Sequence, residues 1–253
     1  MPDFTLIVPF YRNCAMLAEQ VRMWNEYPRG VRVVVVDDGS PEPARPIILQ
    51  HIQQDVDVQL YRIEVDIPWN REGARNLGAT VCESQWMVHV DIDHVLPPQC
   101  AERLLRFDPK PGAFYRFPRW RNGRADETRR KDKIPDEVRF AQIHPHVDSY
   151  LIERERYWFI GGYDEDFSGC LGGGSDFLRR VEERARIKLL PEDICLHVYT
   201  RDKIKDASDW SLSRDTTEGK QRARKKQQRH QRQRHSAEPV PASHVRFPWQ
   251  RQL

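Results

Sequence analysis

The sequence predicts an α/β protein built on a doubly wound, mostly parallel sheet. Segments typical of strands and of helices alternate through about the first hundred residues, and the strand segments are short apolar runs. Unbroken apolar runs are typical of strands buried on both faces of a parallel sheet. Alternation of such runs with helical segments indicates βαβ units. A length of 253 residues suits one large α/β domain, or one domain with a tail.

The first half of the chain contains four predicted strands and three predicted helices. Apolar or alternating runs predict the strands, and the second of them is almost continuously β-branched. These strands are Phe4–Val8, Val31–Val36, Val58–Ile63 and Trp86–Val90. Apolar residues at helical spacing, or glycines that allow close backbone approach, predict the helices. These helices are Ala15–Tyr27, Ile47–Gln54 and Asn70–Cys82.

The second half has a different character. The stretch Arg116–Arg139 is dense in charge and poor in apolar periodicity, which predicts a mobile loop or a basic rim over a site. The stretch Phe159–Ser175 is rich in glycine, and a helix is predicted to follow it over Asp176–Arg186. Two further strands are predicted at Val147–Ile152 and Ile194–Tyr199.

The basic charge of the protein is concentrated at the end of the chain. The net charge is +3, yet Arg214–Leu253 alone contains 11 Lys/Arg and 3 Asp/Glu, which leaves a net charge of −5 before it. Within it, Lys220–His235 has almost no apolar residue and cannot build a core, so it is predicted to be a solvated helix or a disordered tail. We therefore predict a domain over 1–213, with halves at 1–100 and 101–213, followed by a basic extension over 214–253.

Several classes of protein do not fit this composition. No apolar run approaches the ~20 residues that span a bilayer, and the N-terminus lacks the basic region of a signal peptide. The five cysteines are odd in number and none are at C-x-x-C spacing, so neither a disulfide framework nor a zinc site is expected. We expect a cytoplasmic protein with reduced thiols.

An acidic triplet, Asp91-Ile92-Asp93, follows the predicted strand Trp86–Val90. Residues i and i+2 of a strand share a face, so both carboxylates can bind one hard cation. Such a cation would neutralise the charge of a departing diphosphate. An exposed acidic turn is the alternative. The position favours the ligand interpretation, because doubly wound sheets bind ligands beyond the carboxyl ends of their strands.

Two further motifs point to a nucleotide. Asp37 and Asp38 end the strand Val31–Val36, where a carboxylate can accept from a uracil N3–H or from ribose hydroxyls, and Gly39 permits a tight turn. An ordinary turn between a strand and a helix is the alternative. Arg71 and Arg75 stand at i, i+4 of the third predicted helix, so they share a face and could bind a diphosphate. The alternative is a solvated basic helix face.

The order of these motifs resembles family 2 glycosyltransferases with the GT-A fold. The resemblance rests on Leu6-Ile7-Val8-Pro9-Phe10-Tyr11-Arg12-Asn13, Val35-Val36-Asp37-Asp38-Gly39-Ser40, Gly73-Ala74-Arg75-Asn76 with Gly78, and Asp91-x-Asp93. It implies a GT-A fold, a UDP-sugar donor and Mn²⁺ or Mg²⁺. The donor residues that it implies, together with those argued above, are Pro9, Tyr11, Arg12, Asp37, Asp38, Gly39, Arg71, Arg75, Asn76, Asp91 and Ile92.

The resemblance also implies a third metal ligand besides Asp91 and Asp93. Family members often place a histidine late in the chain, and His197 follows a short predicted strand at a suitable distance. A packed histidine is the alternative. Near the triplet, His89 shares a strand face with Asp91 and is a weaker competitor, and His94 also flanks the triplet.

The identity of the catalytic base is where the sequence departs from the family. Phe159–Phe167 resembles the acceptor-side segment of galactosyltransferase-like members, but Gly173 and Gly174 stand where those members have a Glu-Asp pair. We predict Asp176 as the catalytic residue, with a role in capping the helix as the alternative. Asp148 and Asp166 are further candidates, and a retaining reaction would need no strong base.

The basic segments suggest the acceptor. Cations interleaved with aromatic residues, as in Arg116–Arg139 and beside Phe247 and Trp249, are typical of phosphate-tracking and base-stacking segments. The chain resembles small phage enzymes that glycosylate hydroxymethylated pyrimidines in DNA, which would place it in a host cytoplasm. We therefore expect DNA as partner and 5-hydroxymethylpyrimidine as acceptor, reached by base extrusion.

Other functions stay open at this point. A saccharide or lipid-linked acceptor is the first alternative, and the basic tail could equally bind an anionic membrane or ribosomes. A catalytically dead nucleic-acid-binding module is another, favoured by Gly173 and Gly174 but opposed by the intact Asp91 and Asp93. A nucleotidyltransferase would carry a glycine-rich loop after the first strand, and none is present.

Overall fold

The computed structural model describes residues 4–53, 55–67, 70–122, 140–169, 172–198, 221 and 244–253. Its strands are β1 Phe4–Phe10, β2 Val31–Asp37, β3 Val58–Ile63, β4 Trp86–His89, β5 His94–Val95, β6 Ala113–Arg116, β7 Arg119–Asn122, β8 Phe140–Ile143, β9 Tyr150–Glu153, β10 Arg186–Leu189, β11 Leu196–Val198 and β12 Trp249–Arg251. Its helices are α1 Cys14–Trp24, α2 Ala44–His51, α3 Arg71–Val81, α4 Pro98–Arg106, α5 Arg154–Ile160 and α6 Gly173–Arg184, with a short 3-10 helix at Glu165–Phe167.

The main sheet has eight strands in the order β10-β6-β9-β4-β1-β2-β3-β12. Its central strands β4, β1, β2 and β3 run parallel to one another, whereas β9 runs antiparallel to β4 and β6. A second sheet of four strands has the order β5-β11-β7-β8. The mixed α/β fold with a largely parallel centre confirms the predicted fold class.

Apolar side chains cover both faces of the main sheet, as a doubly wound fold requires. One layer lies under α1, α2 and α4, where Leu17, Ile48 and Leu104 are buried. The other lies under α3, α5 and α6, where Leu77 and Phe177 are buried. The β-branched run of β2 is buried almost throughout, which explains why its sequence is almost continuously apolar.

All predicted elements of the first half are present, with ends shifted by a few residues. The second helix begins at Ala44, before its predicted start, because the Asp37 carboxylate accepts the Ala44 N–H. In the second half, α6 begins at Gly173, because Gly172 takes a left-handed conformation that ends the preceding turn. The predicted loop Arg116–Arg139 contains the strand β7, and residues 123–139 lie outside the described part.

The end of the chain returns to the main sheet. Strand β12 pairs antiparallel with β3, and Phe247 is buried against α3. The predicted boundary between 213 and 214 lies outside the described residues, but the last ten residues of the predicted extension pack onto the domain. Among the described residues, no helix is both long enough and apolar enough to cross a membrane.

Candidate active site at the carboxyl ends of the central strands

The acidic motifs meet at one edge of the sheet. β1 pairs with both β2 and β4 in parallel, so the residues that follow all three strands lie at the same edge. Asp37 ends β2 and Asp38 follows it, while Asp91 comes two residues after β4. Two acidic motifs that are more than fifty residues apart in the sequence are therefore brought together by the sheet.

Asp37 is fully engaged in holding the turn after β2. Its Oδ1 accepts the Ser40 N–H at 2.9 Å, and its Oδ2 accepts the Ala44 N–H at 2.9 Å and the Arg62 guanidinium at 2.5 Å. Burial raises the pKa of Asp37, although these partners act in the opposite direction. With both oxygens occupied, Asp37 shapes the turn, and Asp38 is the better placed of the two to bind a ligand.

Asp38 carries a buried carboxyl with capacity to accept. Asp38 is 4% exposed, and its Oδ1 accepts no hydrogen bond from the described residues. Burial raises the pKa of Asp38 well above its ordinary value. Because buried acceptors in folded proteins are nearly always satisfied, an unsatisfied one at a site is suited to a donor on a ligand.

The turn after β2 is closely packed by neighbouring residues. Gly39 has φ +66°, and a Cβ there would lie 2.3 Å from the Val65 carbonyl oxygen, so the turn requires glycine. Tyr11 donates its hydroxyl to Asp66 at 2.9 Å, and the Arg12 guanidinium lies over the Tyr11 ring. The predicted donor residue Pro9 is part of β1 and is partly buried.

The predicted donor residues of α3 are held by protein partners in this structure. Arg75 is fully buried and donates to Asp91 Oδ1 at 2.5 Å, while Arg71 pairs with Asp148 at 2.7 Å. Asn76 is also buried, and its amide bonds the backbone of Tyr163 and the side chain of Glu165. The Arg71 side chain keeps some solvent exposure, whereas Arg75 is fully buried and contacts Asp91.

A cluster of potential metal ligands forms around Asp91. One ligand atom from each of Asp91, His94 and His146 lies within 4.8 Å of the other two. Asp91 Oδ2 is 3.3 Å from His146 Nδ1, and His94 Nδ1 is 2.5 Å from Ser149 Oγ. Burial, opposed by the nearby carboxylates, lowers the pKa of His94 to about 4, so its imidazole is neutral and able to bind a cation.

The charge state of Asp91 also suits a ligand. Burial would raise its pKa, but Arg75, followed by His146, outweighs burial and holds the pKa below the ordinary range. Asp91 is therefore ionised at neutral pH. A carboxylate oxygen together with two imidazole nitrogens is a donor set that fits a first-row divalent cation.

The cluster contains only one of the three metal ligands predicted from the sequence. Asp93 and His197 do not belong to it, although Asp93 is nearly buried beside it and His197 lies on β11, opposite Val95 of β5. The sequence does not indicate His146 as a ligand, because its position depends on how its loop packs against residues that are distant in the sequence. The one local signal was the spacing of His144, His146 and Asp148.

The remaining predicted residues have clear places. Ile92 accepts a hydrogen bond from Gln20 through its carbonyl at 3.0 Å. Asp176, at the start of α6, receives Arg179 at 2.8 Å and Arg180 at 3.0 Å, one on each oxygen. This double pairing within one helix favours a structural role for Asp176. His89, the weaker competitor, is buried and stacked between Tyr150 and Tyr157.

Two carboxylates occupy the space beside the glycines at the start of α6. A Cβ on Gly173 would lie 2.2 Å from Glu72 Oε1, and a Cβ on Gly174 would lie 2.4 Å from Asp148 Oδ1. Asp148 also accepts the Tyr163 hydroxyl at 2.9 Å. Carboxylates from α3 and from the segment before β9 therefore lie beside the two glycines of α6.

Comparison with known proteins identifies the family. The family described as Glycosyl transferase family 2 matches residues 5–171, which is more than half of the chain. The chain belongs to this family. No curated protein shows a significant sequence match to it.

Solved structures share the fold at low sequence identity. A mannosyltransferase from Pyrobaculum calidifontis in complex with GDP-Man and Mn²⁺ has a TM-score of 0.57 at 17% identity, over 78% of this chain and 56% of that one. S. aureus TarS 1-349 in complex with UDP-GlcNAc gives 0.59 at 14% identity, over 90% of this chain and 72% of that one. GalNAc-T7 with UDP, GalNAc and Mn²⁺ gives 0.58 at 13% identity, over 79% of this chain and 44% of that one. The chain thus spans about half the length of the first and third enzymes.

Proposed function

We propose that the protein is a metal-dependent glycosyltransferase that takes a sugar from a UDP-sugar. The observation that carries the proposal is the convergence of Asp38 and the Asp91 cluster at one edge of the sheet. Family membership supports the reaction class. The structures with UDP-GlcNAc and with UDP support a uridine donor.

Each group has a distinct role in this proposal. Asp38 would accept from the uracil or the ribose, since its carboxyl is buried with an unsatisfied oxygen. Arg71, partly exposed beside the site, would contact the diphosphate. Asp91, His94 and His146 would hold the cation, which when bound stabilises the negative charge of the leaving diphosphate. The sequence also predicts Asp93 and His197 as metal ligands, and this second set of ligands remains to be tested.

The donor set favours Mn²⁺ over Mg²⁺. Imidazole nitrogen suits transition metals, whereas Mg²⁺ prefers a shell of oxygen atoms. Two of the three clustered groups are imidazoles. Mn²⁺ also accompanies the mannosyltransferase and GalNAc-T7 in their structures.

The first test is hydrolysis and transfer with a panel of radiolabelled nucleotide sugars in the presence of Mn²⁺. We expect slow metal-dependent hydrolysis of one UDP-sugar, reduced about a hundredfold or more in Asp91→Asn, because a metal ligand contributes several kcal/mol to the transition state. Asp57→Asn, an exposed acidic control paired with Arg32, should retain full activity. A wild-type protein that turns over no nucleotide sugar would favour a binding module without catalysis.

The proton acceptor is proposed as either Asp176 or Asp148. Asp176 was favoured by the sequence, while Asp148 fills space beside α6 and contacts Arg71. Asn at the catalytic position should lower kcat by about a hundredfold, and Asp176→Asn should leave UDP affinity within about twofold. The same measurement on both variants assigns the role, and two fully active variants would exclude both.

For the acceptor, we propose 5-hydroxymethylpyrimidine in DNA. The support is the net charge of +8 over 214–253, since phosphate neutralisation drives DNA binding. Transfer is measured onto hydroxymethylcytosine DNA, hydroxymethyluracil DNA and unmodified DNA. Label on hydroxymethylated DNA only would support the proposal, and label on a saccharide or lipid-linked acceptor instead would replace it.

A further inference from the structure

The tautomer of His94 is fixed by an arginine. Arg119 Nη1 lies 3.0 Å from His94 Nε2. A guanidinium can only donate hydrogen bonds, so Nε2 must be the unprotonated nitrogen and Nδ1 must carry the proton. Nδ1 accordingly faces Ser149 Oγ at 2.5 Å, which can accept it. The lone pair that would bind a metal is therefore occupied by Arg119.

Arg119 also holds the segment that carries the second histidine. Its Nε donates to the His144 carbonyl at 2.8 Å, and its Nη2 donates to the same oxygen. Arg119 thus bridges β5, which carries His94, and the segment that carries His146. One guanidinium thus links the His94 ring to the backbone of His144, two residues before His146.

The carboxylates of the site already face cationic partners. Asp91 and Asp93 supply two negative charges, and both act on Arg119, while Arg75 pairs directly with Asp91. A divalent cation added to this arrangement would lie beside two guanidinium groups. Because like charges at such separations repel strongly away from bulk water, the cation and Arg119 compete for the same place.

We propose that Arg119 is an internal placeholder for the metal, which must leave His94 Nε2 before a divalent cation can bind there. The inference rests on the metal centre of the proposed function. While Arg119 occupies this place, the protein binds a divalent cation weakly. Tight binding requires Arg119 to move away from the site.

The test measures Mn²⁺ affinity from the electron paramagnetic resonance signal of free Mn²⁺, without any substrate. Arg119→Gln should bind Mn²⁺ about tenfold more tightly than the wild type or better, since a competing unit charge is removed. Arg32→Gln is the control for the loss of one positive charge, because Arg32 lies near the start of β2, at the opposite end of the strand from the site, and pairs with Asp57 and Glu83. Its affinity should stay within about twofold of the wild type.

A double variant separates displacement at His94 from a general charge effect. In Arg119→Gln/His94→Gln the gain should disappear, because the freed nitrogen is gone. A folded Arg119→Gln protein with unchanged or weaker Mn²⁺ affinity would overturn the proposal. A gain that survives the loss of His94 would overturn it as well.

The wild-type protein gives an independent readout should Arg119→Gln fail to fold. With Zn²⁺ as a diamagnetic probe, the ¹⁵N resonances of His94 Nε2 and of the Arg119 side chain should shift with the same concentration dependence. An Arg119 signal that stays constant while His94 saturates would contradict displacement. If neither the wild-type protein nor any variant binds metal, the inference fails. Turnover of UDP-sugar without metal then decides whether the glycosyltransferase proposal stands.

Discussion

Burial of the ionisable Asp38 carboxyl lowers the stability of the folded protein. Burial raises its pKa, so the folded state binds the proton more tightly than the unfolded state does. Above the unfolded pKa of about 3.9, the ionised carboxyl therefore lowers the free energy of unfolding, and this cost is complete above the raised folded pKa. The unfavourable environment is consistent with selection for ligand binding at Asp38.

Asp38→Asn should accordingly raise stability and lower donor affinity together. The gain in free energy of unfolding should be absent near pH 4, grow as pH rises and then level off, because Asn does not ionise. UDP affinity should fall about tenfold to a hundredfold, the cost of a hydrogen bond to a charged group. Urea denaturation across pH and calorimetry with UDP provide the two measurements.

Asp37→Asn is the matched control at the neighbouring position. Asp37 holds two backbone N–H groups and Arg62, so its replacement should destabilise the fold at pH 7 by about 1–3 kcal/mol. If Asp38→Asn instead destabilises at neutral pH and leaves UDP binding intact, Asp38 is a structural residue like Asp37.

At this scale, the sequence could predict residues whose role depends on a strand end. Asp38 and Asp91 follow buried strands, and strand ends of a parallel sheet meet at one edge. His146 could not be predicted in this way, because it reaches Asp91 across a loop whose path depends on Arg119 and Arg116. The tautomer of His94 likewise depends on the pairing of distant strands.

Helix α6 shows how an element is adapted to carboxylates from elsewhere. Gly173 and Gly174 leave room for Glu72 and Asp148. The carboxylates of these two residues occupy the space that a Cβ on either glycine would enter. The glycines lower the helix propensity of the first turn, which a packing requirement explains. The sequence-based start at Asp176 was therefore three residues late, since local propensity alone argues against a helix beginning with two glycines.

Gly174→Ala tests this packing by the sign of its effect. Helix propensity alone predicts stabilisation by up to about 1 kcal/mol. The Cβ would instead meet the buried Asp148 carboxylate, which Tyr163 and Arg71 hold in place, so we expect destabilisation by about 1–3 kcal/mol. Urea denaturation measures it.

Ser175→Ala is the control on the same turn, because Ser175 is exposed. It should leave the free energy of unfolding unchanged within about 0.5 kcal/mol or raise it slightly. A Gly174→Ala protein as stable as this control would show that Asp148 can move aside without cost.

The last ten residues of the predicted C-terminal extension pack against the rest of the structure. Charge predicts a separate extension over 214–253, yet residues 244–253 pack onto the sheet and onto α3. Glu165 accepts the backbone N–H groups of Val245 and Arg246, and Arg246 also pairs with Asp166 at 2.7 Å. A short strand added at the edge from the far end of a chain leaves no local signal, because its partners lie almost two hundred residues away in the sequence.

Phe247 shows the consequence for function. Its position beside cations suggested base stacking, but its ring is buried against Gly73, where a Cβ would lie 2.4 Å from it. Trp249 lies edge-on to Tyr61 at 5.8 Å and is about one-third exposed. Of these two aromatic residues, only Trp249 keeps a surface that a base could contact.

A test of DNA binding must therefore keep the last strand in place. Truncation after Ser213 would remove the basic segment and β12 together, so a loss of binding could reflect lost folding. Exchanging the Lys and Arg residues of 220–234 for Gln changes the charge and retains residues 244–253. If the segment contacts phosphates, the exchange should weaken DNA binding at low salt and flatten the slope of log affinity against log salt, by about 0.9 per lost phosphate contact. A thermal melt that matches the wild type, combined with an unchanged salt slope in fluorescence anisotropy, would exclude the basic segment as the DNA contact.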